Sequence, residues 1–265
     1  MIYLVKGDSK KNFEIGRILL DYGRNNNNLR CIIVGHICLS YAYYTIGDFS
    51  SAIEWSKGAI GILPERIFFD WPKLILSMTY IMNNQFLEAG KLLPEILSST
   101  HGFGVDYLGT SAYALLGVVL IAQGKMARGL AMVKEGRRSF SENERGVALY
   151  IIEFTLGEIY FQMLKRDRPI NLLMILKNLG FFLKEFPRAT RKATHYLNQT
   201  IKMGDEIGAR GILQGQAYLN LGYLHQWKGR KEDAKACFTE AIQIFENCGS
   251  KMHLQQSREA LVNIR

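Results

Sequence analysis

The stretch Tyr218-Leu-Asn-Leu-Gly222-Tyr-Leu-His225 decides the fold of this 265-residue chain, together with the residues that follow it. A bulky residue, a Leu-Gly pair and a second large residue are followed by small and aromatic residues at fixed offsets: Gly229, Ala234, Phe238 and Ala241. Small residues allow two antiparallel helices to cross closely, and the large residues around them fill the gaps between helices. The stretch therefore predicts a helix, a short turn and a second helix packed on the first.

The same pattern recurs upstream of this stretch. The small residue before each turn is found at Ser40, Ser77, Gly117, Gly157 and Gly222, with successive spacings of 37, 40, 40 and 65. Each match is weak by itself, but five matches in phase indicate an array of stacked helix pairs. We expect five pairs and a final capping helix, at residues 29–64, 67–101, 107–141, 146–208, 211–248 and 251–264.

The spacing of 65 is too long for one repeat and indicates an insertion. Pro169 suits the first turn of a helix, and Pro187 precedes the delayed second helix of the fourth pair. We therefore expect one inserted helix at residues 169–185, within the unit 146–208. The inserted segment is so apolar that it is expected to cover another surface.

The repeated pattern resembles the tetratricopeptide repeat (TPR) over residues 29–264. The resemblance implies an all-α fold: a right-handed α-solenoid of antiparallel helix pairs, here with one inserted helix and a C-terminal capping helix. The long repeats, the inserted helix and the Gly-Ala-Arg-Gly211 segment are similar to TPR regions at the C-terminal end of certain bacterial signalling proteins. Those proteins also carry a class III adenylate cyclase domain and an AAA-type ATPase. The resemblance implies that this chain is the sensory or scaffolding part of such a protein.

In TPR arrays the first helix of each pair lines the concave inner face, where ligands usually bind. The resemblance places these residues on that face: Ile37, Tyr41, Tyr44, Trp71, Leu74, Met78, Met82, Phe154, Phe161, Leu219, Tyr223 and Trp227. Such an apolar face predicts a protein or peptide partner that offers an amphipathic or apolar segment. Other domains of the same parent protein are among the candidate partners. Two alternatives remain open: the residues are ordinary core, or they line a pocket for a small apolar molecule.

Positive charge is concentrated around the insertion. Residues 165–192 carry eight Lys and Arg against Asp167 and Glu185, which is +6 of the formal net charge of +9. A candidate dock for an acidic partner surface consists of Lys165, Arg166, Arg168, Arg188, Arg191 and Lys192. The alternatives are a solvated face, nucleic acid or anionic lipid. Because no recognised nucleic-acid module accompanies the basic residues, nucleic acid is disfavoured.

Signatures of catalysis and cofactor binding are absent from the sequence. It contains no Walker A loop, HExxH, G-x-S-x-G or CxxC pattern, and its five histidines are scattered. The sequence therefore predicts no enzyme activity, no cofactor and no metal site. Four cysteines are too few for a disulfide framework in a chain of this length and are expected to be buried thiols.

Targeting signals are equally weak. The first eleven residues lack the long apolar core of a signal peptide. Two uncharged runs, 31–47 and 107–124, approach the length of a membrane span but are interrupted by polar residues. We expect buried helices rather than spans, and a cytoplasmic location. An oligomer is compatible with the sequence, which does not determine the number of subunits.

Overall fold

A computed structural model describes residues 9–62, 70–100, 106–140, 146–165 and 172–264, and every regular element in those ranges is helical. A short 3-10 turn at Phe186–Arg188 separates α10 from α11. The α-helices in chain order are α1 (Ser9–Asn25), α2 (Leu29–Ile46), α3 (Phe49–Ile62), α4 (Asp70–Met82), α5 (Phe86–Thr100), α6 (Asp106–Ala122), α7 (Met126–Arg138), α8 (Val147–Leu164), α9 (Leu172–Lys177), α10 (Leu179–Glu185), α11 (Ala189–Ile207), α12 (Ile212–Trp227), α13 (Lys231–Cys248) and α14 (Lys251–Val262).

The helices form a solenoid of pairs. The pairs are α2–α3, α4–α5, α6–α7, α8–α11 and α12–α13, while α1 packs on α2 and α14 packs on α13. The first helices of successive pairs, α2, α4, α6, α8 and α12, also contact one another and form the inner layer. This arrangement confirms the all-α solenoid expected from the phased small residues.

Small residues bring the paired helices together, as the sequence predicts. A methyl group on Gly157 of α8 would lie 2.8 Å from Leu197 Cδ2 on α11. One on Gly222 of α12 would overlap with the ring of Phe238 on α13. In the first pair, the hydroxyl of Ser40 donates a hydrogen bond to the Ala52 carbonyl across the crossing, at 2.9 Å.

The insertion differs from the single helix predicted at 169–185. Its described residues form two short helices, α9 and α10, with a turn at Asn178. The Asn178 side-chain amide donates to the carbonyl of Gly124, after α6, and to that of Met174, each at 2.9 Å. The bond to Met174 is a local bond of the kind that competes with helical geometry, and the bond to Gly124 holds the side chain against the array at the break. Residues 169–171 lie outside the described ranges.

A buried ionic cluster ties the end of the insertion to the array. Glu185 accepts a hydrogen bond from the Tyr160 hydroxyl at 2.7 Å and pairs with Lys192 and, at 3.3 Å, with Lys134. Burial by itself would raise the pKa of this carboxyl group. The hydrogen bonds from Lys192 and Tyr160 and the charge of Lys134 outweigh burial and hold its pKa at about 2. The cluster connects α10 to α7, α8 and α11.

The two ends of the array meet. The buried Ser9 hydroxyl at the start of α1 donates to the Cys248 carbonyl at the end of α13, at 2.8 Å. Beside it, Ile46 Cγ2 lies 3.7 Å from the position a Cβ would take on Gly249. The Ser250 hydroxyl lies equally close to the corresponding position on Gly47. We call these contacts the closure seam, because they close the solenoid on itself.

The turns at the seam depend on glycine. Gly47 ends α2 at φ +86° and Gly249 ends α13 at φ +76°, which is the left-handed region that other residues adopt only with strain. At this conformation the Gly47 amide donates to carbonyls of the last turn of α2. Both helices therefore stop at the level where the two ends of the array touch.

Replacing Gly157 by leucine tests the helix crossings. Because the new side chain would collide with Leu197, we expect Gly157→Leu to lower the free energy of unfolding by about 1–3 kcal/mol or more. The matched control is Gly61→Leu on α3, where an added Cβ meets nothing within 4 Å. Denaturant titration of both variants checks the expectation, and equal stabilities for Gly157→Leu and wild type would contradict the crossing.

Replacing Glu185 by glutamine tests the ionic cluster through pH. The folded-state pKa of about 2 lies below the ordinary value of 4.5, so the stabilisation is complete above pH 4.5. It is lost as the pH falls through about 2. We expect Glu185→Gln to lower the Tm at pH 7, with a difference from wild type that shrinks in acid. Glu88→Gln is the control, since Glu88 forms only an exposed pair with Lys91. A pH-independent difference would contradict the cluster.

Candidate functional site

Most of the residues predicted on the inner face are buried where successive inner helices meet. The largest of them, Tyr44 and Phe161, are each 2% exposed. The buried residues of the predicted set are Ile37, Tyr44, Leu74, Met78, Phe154, Phe161 and Leu219. They come from α2, α4, α8 and α12, and all except Ile37 belong to one continuous core. The inner face is thus largely an interior in this closed conformation.

The other predicted residues retain access to solvent. Tyr41, Trp71, Met82 and Tyr223 are half-buried, and Trp227 is 49% exposed. Trp71 packs against both apolar clusters of the array. We call these five side chains the rim, because they are the members of the predicted set that solvent reaches.

An aromatic stack joins the rim to the core. The ring of Trp227, the last residue of α12, lies parallel to that of Phe161 on α8, with centroids 5.4 Å apart. Tyr223, one helical turn before Trp227, stacks on both rings at 6.3 Å. Half-exposed Trp227 therefore presents an aromatic surface that is continuous with fully buried side chains.

Tyrosines from distant units approach one another inside the array. Burial raises the pKa of Tyr41 to about 12 and raises that of Tyr44 still further. Burial also raises the pKa of Tyr150 on α8, and its electrostatic interaction with Tyr41 and Tyr44 on α2 raises it further. Its hydroxyl donates to the Ala209 carbonyl at 3.3 Å. Tyr44 of the first pair and Tyr150 of the fourth belong to the same buried core.

The sequence did not single out Tyr150 or the polar group near the closure seam. His253 on α14 is buried, and its ring nitrogens contact Ser250 at 2.8 Å and Gln216 at 2.7 Å. Burial lowers the pKa of His253 to about 4, so the imidazole is neutral at pH 7. A neutral, hydrogen-bonded histidine holds α14 against α12, which is a structural task.

The structure separates the residues of the predicted basic dock. Arg188 and Arg191 are exposed, and Lys165 is half-buried. Lys192 is half-buried and engaged with Glu185 and Tyr160. Arg166 and Arg168 lie outside the described residues. The described basic surface therefore centres on Arg188 and Arg191, and Lys192 serves the ionic cluster.

The described part of the chain offers no grouping of three His, Cys, Asp or Glu side chains that could hold a metal ion. Its four cysteines are free thiols: Cys38 and Cys248 are buried, and Cys31 and Cys237 are half-buried. One described helix, α2, is long and apolar enough to cross a membrane, and half of it is buried inside the array. A core helix has the same composition, so this is weak evidence for a span.

Comparison with known proteins addresses the final pair and the overall fold. The tetratricopeptide repeat family model matches residues 215–248, within α12 and α13. No curated protein sequence matches the chain significantly. BtubC (BKLC) from P. vanneervenii is similar over 93% of this chain and 91% of that chain, with 14% identity and a TM-score of 0.50. A Rap protein complexed with competence and sporulation factor is similar over 96% of this chain and 70% of that chain, with 14% identity and a TM-score of 0.52.

At these identities the solved structures bear on the fold alone, and they agree with the observed stacking of helix pairs. The family match covers the stretch around Gly222 that shows the repeat pattern most completely. The last helix pair is thus a tetratricopeptide repeat, and the described chain has the all-α fold of a TPR-type helical solenoid.

Proposed function

We propose that this chain is a non-catalytic protein-interaction module that binds an apolar or amphipathic segment of a partner on its inner face. The observation that carries the proposal is the exposed indole of Trp227, stacked at 5.4 Å on the buried ring of Phe161. Tryptophan and tyrosine are enriched at the centres of protein interfaces because they bury a large area at low entropic cost. The rim therefore offers a first contact for a partner.

The interior behind the rim supplies the rest of the proposed binding surface. Met78 and Leu74 of α4 and Phe154 of α8 are apolar side chains of the inner layer and belong to one core, and methionine adapts readily to a new partner. They are buried in the closed array, so a partner reaches them only when the ends of the solenoid separate. Across the seam, the Ser9 hydroxyl donates a hydrogen bond to the Cys248 carbonyl. We infer that the seam opens as the segment enters.

The biological setting is the second part of the proposal. The resemblance to TPR regions of bacterial signalling proteins supports a sensory or regulatory role in the cytoplasm, with other domains of the parent protein among its partners. The Rap protein of similar fold is complexed with competence and sporulation factor. At 14% identity this likeness supports only the capacity of such a scaffold to bind another molecule.

Photo-crosslinking identifies the partner, and titration tests the site. A crosslinking amino acid at the exposed position of Lys228, beside Trp227, captures what binds the rim. The captured segment is then synthesised and titrated against wild type and Trp227→Ala. We expect Trp227→Ala to weaken binding by about 2 kcal/mol, or about 30-fold, with the helices intact by circular dichroism. Leu87→Ala, at a 72% exposed leucine on α5, is the control. If Trp227→Ala binds the segment with wild-type affinity, the rim is not the binding site.

Loosening the seam tests how the interior is reached. Ser9→Ala leaves the Cys248 carbonyl without its hydroxyl donor and is expected to cost about 0.5–1.5 kcal/mol of stability. If the open array is the binding form, the same variant binds the captured segment more tightly, because the open fraction rises. The control is Ser98→Ala, which removes a hydroxyl bond to the Pro94 carbonyl within α5. Unchanged or weaker binding by Ser9→Ala would show that the seam does not gate the interior.

A small-molecule sensor is the second candidate. It is favoured by the approach of Tyr41, Tyr44 and Tyr150 in an otherwise apolar interior, where few hydroxyl groups would orient an apolar ligand. The two candidates respond differently to substitution. A small ligand found by thermal-shift screening should bind Tyr150→Phe more weakly than wild type and bind Trp227→Ala with wild-type affinity. The reverse is expected for a segment docked at the rim.

A further inference from the structure

The insertion has two faces with different tasks, and the sequence already separates them. Residues on one side recur at the spacing of a helix face: Met174, Asn178, Phe181 and Glu185. Large apolar residues recur on the opposite side: Leu173, Leu176, Leu179, Leu183 and Phe186. We call the second set the leucine ridge.

The first face fastens the insertion to the array. Asn178 donates to the Gly124 carbonyl, and Met174 Cγ lies 3.8 Å from the position a Cβ would take on Gly124. Phe181 packs against the main core, and Glu185 is 6% exposed within its ionic cluster. These contacts fix the orientation of α9 and α10, so the opposite side must point away from the solenoid.

The leucine ridge is exposed along its whole length. Leu173 and Leu176 are each 62% exposed, and Leu183 is 69% exposed. Leu179 and Phe186 are 47% and 51% exposed. Among the described residues, twelve large hydrophobic side chains are exposed, and five of them lie on this ridge. Such clustering marks an interaction surface, whereas single exposed leucines need no explanation.

Among the described residues of the insertion and the start of α11, the exposed charged side chains are all positive. Lys177 and Lys184 are exposed, lie seven residues apart and therefore sit along one margin of the ridge, while Arg188 and Arg191 continue the positive charge beyond its end. Between residues 172 and 192 the single carboxylate is that of Glu185, which is buried and paired with two lysines. Two copies of this surface would bring like charges together, which disfavours self-association through it.

The chemistry of the ridge fits a lipid surface better than a protein groove. Between residues 173 and 186 the polar side chains other than the marginal lysines are Asn178 and Glu185, and both face the array. Nothing on the ridge would fix the register of a protein partner through hydrogen bonds. A bilayer interface needs no register. It accepts leucine and phenylalanine between its head groups and attracts lysine and arginine to anionic lipids.

We propose that the leucine ridge is an interfacial membrane-binding element, which lays the solenoid on the surface of an anionic bilayer with the leucines in the interface and Lys177, Lys184, Arg188 and Arg191 at the head groups. The ridge lies on α9, α10 and the 3-10 turn, whereas Trp227 lies on α12, and the two surfaces share no residue. Binding to lipid and binding to a protein segment are therefore tested with separate variants.

Sedimentation of the full chain with vesicles tests the proposal. We expect binding to phosphatidylcholine vesicles that contain about 30% phosphatidylglycerol, little binding to phosphatidylcholine alone, and weakening by salt. The double variant Leu176→Ser with Leu183→Ser should reduce the partition coefficient at least about tenfold. Its matched control is Leu87→Ser with Val262→Ser, which alters two apolar residues that are 72% and 83% exposed on other helices.

Charge variants complete the test. Lys177→Gln with Lys184→Gln should reduce the preference for anionic vesicles about tenfold, whereas Lys202→Gln with Lys228→Gln, of equal net charge, should not. All of these positions are exposed, so an unchanged Tm excludes misfolding as the cause.

Three outcomes would overturn the proposal. The first is that wild type does not prefer anionic vesicles. The second is that the leucine variants bind them as well as wild type does, which would mean attraction by charge alone. The third is an absence of vesicle binding together with a dimer, or a crosslinked protein partner, that the leucine variants lose. In that case the ridge is a protein interface.

Discussion

The rest of the structure depends on the close crossing of paired helices. Each crossing forms where one helix has a glycine or another very small residue. Gly157 lets Leu197 reach the backbone of α8, and Gly222 accepts the ring of Phe238 directly on α12. Each crossing sets the angle between two helices and hence the rotation from one pair to the next. The inner layer, its curvature and the meeting of the two ends all follow from that repeated rotation.

Closure changes what the inner face can do. An open solenoid exposes its first helices along a groove, whereas here Tyr44 of α2 and Tyr150 of α8 are buried in one continuous apolar core. Apolar and aromatic side chains that could bind a partner are therefore buried in the core, whereas Trp227 remains exposed at the surface. The same residues therefore contribute to stability in the closed state and are candidates for binding in an open one, so partner affinity and stability are opposed.

Local sequence predicted much of the fold, because the signals that determine it are local. The phased residues from Ser40 to Gly222 placed the helix pairs, and Pro187 placed the delayed helix α11. The break at Asn178 was not predictable, since one of the two carbonyls that its side chain binds there lies 54 residues away. The role of Tyr150 was not predictable because apolar residues occur all around α8, so periodicity does not reveal which side faces inward. The seam depends on small rotations accumulated over five pairs, which no window of sequence contains.

The bond between Ser9 and Cys248 spans 239 residues of chain. A linear repeat protein unravels from its ends, because each terminal unit has a neighbour on one side only and frays independently of the rest. Here the bond gives α1 a second neighbour at the end of α13, so the two ends of the array are not independent of each other. Loosening the end of α13 is therefore expected to affect α1 as well as α14. The joining contact also has the greatest sequence separation of the side-chain bonds described, so forming it before the intervening pairs have stacked would carry the largest loop-closure entropy.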